Sequence, residues 1–164
     1  MLPAHPLADG SLVMQTFASS ARTITTSTIE LSVERGVDPA GDSRLRIEPV
    51  IDGVRLSERF DTGHGGFAGI VPANSRFGPI RDHYLGQPDH RRDRPQGVAV
   101  LDCDCAAIGC WPVLVQIDVG PRVIRWHDFT EIYRPTADHR LGPFEFATGP
   151  YLAAIDALRW RVGR

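Results

Sequence analysis

All three cysteines of the chain fall within the eight residues from Cys103 to Cys110, inside the stretch LDCDCAAIGCWP. Thiolates at this density suit a soft cation: zinc takes sulfur at about 2.3 Å in a tetrahedral shell, which structural sites close with four protein ligands. For the sulfurs to converge, the chain must double back. Successive side chains of a strand point to opposite faces, so Cys103 and Cys105 are expected to share a face with Ala99 and Leu101. A turn from Ala106 to Gly109 then returns Cys110 opposite Cys105, while Asp102 and Asp104 point away. With no fourth cysteine, a histidine must complete a four-ligand site. The candidates are His64, His83, His90 and His127, and His64 is preferred because the glycines around it allow a close approach. Two other readings of the same residues stay open. Free cysteine packs as a small hydrophobe, which makes the stretch a buried corner of a sheet. A redox thiol is the third, although it wants a cation or a helix start nearby, and Asp102 and Asp104 oppose that.

Other residues invite chemistry less well. Asp61-Thr62-Gly63 is the triplet of aspartic proteases, and a single copy implies a homodimer in which two carboxylates share a proton. The preceding segment RLSERF is too charged for the buried strand that should lead into such a triplet. Tyr84-Leu85-Gly86 is a poor match for the later apolar element of that family, and a turn capped by an Asp side chain is the simpler reading. The glycines of GHGGFAG lack the strand and helix that a phosphate cradle needs. His127-Asp128 and Asp138-His139 place acids beside bases, yet neighbours on a strand face opposite ways and no nucleophile stands ready to use them.

Composition narrows the field further. At 164 residues the chain is long enough for one compact domain, residues 1–164, that buries about 70% of the surface exposed on unfolding. Lys and Arg number 18 against 20 Asp and Glu, so no overall positive field exists to gather nucleic acid or an anionic membrane, and neither partner is expected. No run reaches the 18 or so apolar residues of a membrane span, and the N-terminal segment lacks a basic stretch followed by an apolar one. Three cysteines are too few for a disulfide framework, which points to the cytoplasm.

The elements that must position the cysteines are mostly strands. Gly 16 and Pro 13 favour many turns over long helices. Residues 1–20 lack periodicity and read as a loose arm. In TITTSTIELSVERG, Ile29, Leu31 and Val33 alternate with polar residues as in a half-buried strand. Asp52-Gly53, between Ile51 and Val54, is a two-residue hairpin turn, and Pro49 suggests a bulge or an edge in the strand that enters it. Residues 62–97 read as a long irregular loop, which in a compact domain is commonly functional or mobile. GVAVLDCDC, WPVLVQIDVG and RVIRWHDFTEIY then form an antiparallel meander, with Val113, Val115, Ile117 and Val119 on one face. Tyr151, Ile155, Leu158 and Val162 recur at helical spacing after Pro150. The expected fold is α+β, a mainly antiparallel sheet of hairpin plus meander with one C-terminal helix packed on it.

The Cys-x-Cys-x4-Cys spacing resembles the zinc-binding post-SET segment of lysine methyltransferases, over those eight residues only, and the catalytic motifs of a SET domain are missing upstream. From Cys103 to about Leu158 the chain resembles a group of small bacterial proteins. Their pattern is a Cys-x-Cys turn with Gly-Cys-Trp-Pro, then Trp-x-x-Phe, Gly-Pro-Phe-x-Phe and a final helix. Here Ala106 stands where a glycine commonly follows the second cysteine, and Thr136 stands where His-Arg follows proline. The resemblance implies a β-rich fold and a bacterial source, and it brings no catalytic residues with it. The expected function is a non-catalytic binding or interaction protein with a protein partner, of the kind of a toxin-neutralising immunity protein, with a small structural zinc site and residues 62–97 as the recognition surface. The alternatives are a metal- or thiol-dependent hydrolase or oxidoreductase centred on the cysteines and, more remotely, a dimeric protease using Asp61.

Overall fold

The structure, a computed structural model, describes residues 25–38, 40–60, 66–72, 78–87, 97–105, 110–133 and 141–161. Alternating apolar residues and turn chemistry build a first sheet. β1 (Ile29–Val37) and β2 (Ser43–Ile51) pair antiparallel without a break from Ile29 opposite Ile51 to Val37 opposite Ser43. Between them Asp38 accepts the N–H groups of Ala40 and Asp42 at 3.0 and 2.8 Å, the local capping for which aspartate is favoured in turns. Asp52 and Gly53 both take positive φ, 52° and 76°, as the predicted two-residue hairpin turn requires, and lead into the short β3 (Val54–Arg55). The order is β1-β2-β3.

Pro49 causes no bulge, and of the two expectations from sequence it is the edge that applies in part. Its carbonyl accepts Leu56 N–H on the flank away from β1, and that flank is only partly paired: Ile51 faces Val54, while Ile47 bridges to Ile70. Pro49 sits between the two pairings, where a missing N–H breaks no ladder bond to β1.

The second sheet has the order β4-β5-β6-β7-β8, every pair antiparallel, from β4 (Phe67–Gly69), β5 (Val98–Cys103), β6 (Val113–Val119), β7 (Val123–Glu131) and β8 (Phe144–Ala147). The meander is therefore the centre of a larger sheet. Residues 62–97, expected to be irregular, contribute β4 and a short helix, α1 (Ile80–Tyr84). The β6–β7 register shifts between Leu114 and Gln116, with the extra residue on β7, and Val119 at the far end of β6 is 53% exposed, so the cover over Val113 and Val115 does not reach it.

The C-terminal helix α2 (Thr148–Arg161) places Tyr151, Ile155 and Leu158 in the core as the spacing predicted, although Pro150 is its third residue and not its first. Tyr151 fixes the helix by polar contacts as well. Its hydroxyl donates to the Tyr84 carbonyl at 2.6 Å and accepts from Trp126 Nε1 at 2.9 Å.

One buried cluster joins both sheets and α2, including Leu31, Ile47, Ile70, Leu101, Trp126 and Tyr151. The sheets meet where Ile47 and Ile70 exchange backbone hydrogen bonds at 2.8 and 3.1 Å. Gly69 permits this approach, because a Cβ there would lie 2.2 Å from the Ile47 carbonyl oxygen. The expected arm at residues 1–20 and Val162 lie outside the described residues.

Candidate metal centre

β5 ends at Cys103, which is paired with Phe67 of β4, and the chain turns at Asp104 and Cys105. Cys105 is thus in the turn and not on the strand face that alternation assigned to it. Gly66, just before β4, accepts Asp104 N–H at 2.9 Å and so holds the turn against the sheet edge. Cys110 stands at the entrance to β6. With β5 and β6 adjacent, the Sγ atoms of Cys103, Cys105 and Cys110 all lie within 4.8 Å of one another. In a tetrahedral zinc site, sulfurs bonded at 2.3 Å stand about 3.8 Å apart, so the observed triangle needs to contract only slightly around an ion.

Of the two aspartates, Asp104 does not point away. Asp102 is buried, and its Oδ1 accepts the Cys103 N–H at 2.9 Å. The Asp104 carboxylate turns back so that Oδ1 accepts from Cys103 Sγ at 3.7 Å, while a Cβ on Gly66 would meet Oδ2 at 2.7 Å. The Cys105 N–H donates to Cys103 Sγ at 3.4 Å. Cys110 is exposed, so one corner of the triangle opens to solvent.

The thiols of Cys103 and Cys110 resist ionisation. Burial, followed by the hydrogen bond with Cys105, pushes the Cys103 thiol from 9.0 up to about 12. Hydrogen bonding to Cys105 and that residue's charge raise Cys110 as well. Three thiolates at this spacing repel one another, and a divalent ion at their centre removes the repulsion. A nucleophilic redox cysteine needs its thiolate favoured, and these surroundings favour the protonated form.

Among the described residues, the histidines sit elsewhere. His83 is buried, with Nε2 2.6 Å from the Ala99 carbonyl oxygen. His127 lies between carboxylates, Nε2 at 3.0 Å from Asp118 and Nδ1 at 2.9 Å from Asp128. That last contact corrects the expectation that His127 and Asp128 face opposite ways: Asp128 adopts φ of 53°, which swings its side chain beside the imidazole. His64, His90, Asp138, His139 and the triplet from Asp61 lie outside the described residues. Tyr84-Leu85-Gly86 closes α1 and forms no strand.

Nothing in the order of residues singles out Arg46. In the fold it is buried on β2, and its Nη2 donates to the Asp104 carbonyl at 2.7 Å, across the seam between the sheets. Its only trace in the sequence is a cation at a strand position where the alternation alone does not say which face is covered. No family model, no curated protein and no solved structure matches the chain.

Proposed function

We propose that the protein is a non-catalytic binding protein whose fold is completed by one zinc ion on Cys103, Cys105 and Cys110, with His64 as the fourth ligand. The observation that carries this reading is the convergence of the three sulfurs within 4.8 Å at the junction of β5 and β6. Covalent reach supports His64: it stands two residues before Gly66, whose carbonyl is bonded to the Asp104 N–H of the same turn, and two residues span at most about 7 Å. Thiols raised toward their neutral form favour a structural role over thiol catalysis. The binding role takes the form of a small acidic immunity protein that neutralises a toxin, an analogy of class. Its test is a neighbouring gene for a toxin whose product forms a stoichiometric complex with this chain.

The metal is tested by thermal unfolding before and after chelation. A site that binds only the folded state adds about 2.7 kcal/mol when free metal is a hundredfold above Kd. At about 2–4 °C per kcal/mol, zinc should raise the melting temperature by roughly 5–11 °C, reversibly. Identical melting curves with and without zinc would rule the structural site out.

A further inference from the structure

We propose that Arg46 is the built-in counter-cation of the three-thiol centre, a positioning residue through which metal occupancy is coupled to the seam between the two sheets; this rests on the metal reading above. Arg46 is 8% exposed, and the one side-chain hydrogen bond it makes among the described residues runs from Nη2 to the carbonyl of Asp104, the residue between two of the cysteines. Among the described residues its Nε is buried without a hydrogen-bond partner. Among the described residues no carboxylate forms an ion pair with it. Glu34, opposite Arg46 in the β1–β2 register, gives its carboxylate to Arg55. The Asp104 carboxylate lies beside Gly66 and the Cys103 sulfur.

A buried cation without an anion is costly, and native structures supply the missing charge. Three thiolates around a divalent ion leave one net negative charge whenever the fourth ligand is neutral, which is what a buried guanidinium at this turn requires. The fold makes room for that guanidinium. A Cβ at Gly36 would lie 2.7 Å from Arg46 Nε, so glycine on β1 leaves the space in which the side chain lies. The next residue on β2, Ile47, exchanges hydrogen bonds with Ile70 at the seam. Arg46 and Ile47 thus tie one strand to both the cysteine turn and the second sheet.

The test is titration of the full chain with Co(II) alone, read by thiolate charge-transfer absorption, for wild type, Arg46→Met and Arg46→Lys. Removing a partner just outside the ligand shell typically lowers metal affinity about 10–100-fold, and Arg46→Met should do so while Arg46→Lys, which keeps the charge, restores most of it. Metal-free Arg46→Met should melt no lower than wild type, because an uncompensated buried charge has been removed, and cobalt should stabilise it less. Unchanged cobalt affinity in Arg46→Met, equal losses in both variants, or a metal-free Arg46→Met that melts lower would each overturn the proposal and leave the metal reading standing. Wild type that binds no cobalt overturns both.

Discussion

A thiol that must ionise before it can bind an ion makes affinity depend on pH. Cys103 is raised to about 12 and Cys110 is raised, so metal binding near neutral pH expels protons, up to three per ion from three cysteines. The apparent zinc affinity should therefore climb as pH rises from 6 to 8, measurable by competition with a chelating dye, and a flat profile would mean that the thiols are not the ligands. For metal-free protein the sign reverses. The folded state holds the Cys103 proton more tightly than the unfolded state, so its contribution to stability is complete below pH 9 and is lost as pH rises through 12. Glu48 is a second residue of this kind. Burial raises its carboxyl above the usual 4.5, against the Ser57 N–H that it accepts at 2.9 Å. Ionised Glu48 therefore weakens the fold at pH 7, and Glu48→Gln, which can keep the Ser57 bond, should raise the melting temperature there. The gain should vanish below pH 4.5, where wild type is protonated in both states. The cysteines were legible in the sequence because spacing alone announces them. Arg46 and Glu48 were not, since a lone charge on a strand is buried or exposed according to contacts distant in sequence.

At the scale of elements, two positions carry disproportionate weight. Gly69 lets β4 approach β2, and Gly69→Ala forces a methyl onto the Ile47 backbone, which cannot yield as a flexible side chain would. Destabilisation of at least about 1–3 kcal/mol is expected in urea unfolding. Tyr151→Phe removes the hydroxyl that joins α2 to both Tyr84 and Trp126, and deprives a buried donor and a buried acceptor of this partner. The expected cost is about 1–3 kcal/mol, or roughly 2–12 °C in the melting temperature. The hairpin at Asp52-Gly53, the meander and the apolar stripe of α2 were readable because turn residues and periodicity are local. β4 and β8 were missed for a physical reason: three or four residues carry too little alternation to read, and their partners, β5 and β7, are supplied by the rest of the sheet. The end of β6 was misassigned because alternation alone does not say where the cover over a face stops: Ile117 is still packed against the core and Val119 is exposed.

For the whole molecule, two antiparallel sheets share one core and touch at a seam, and the cysteine turn lies on that seam, joined to β4 through Gly66 and to β2 through Arg46. No described helix is long and apolar enough to cross a membrane. By the metal reading proposed above, an ion at this turn would brace the β5–β6 junction against a strand of the other sheet. Native mass spectrometry of the full chain, purified without added metal, tests that reading most directly: one zinc per chain is expected, lost from Cys103→Ser, Cys105→Ser and Cys110→Ser alike. Metal-free wild type that also takes up no zinc when it is offered would contradict it.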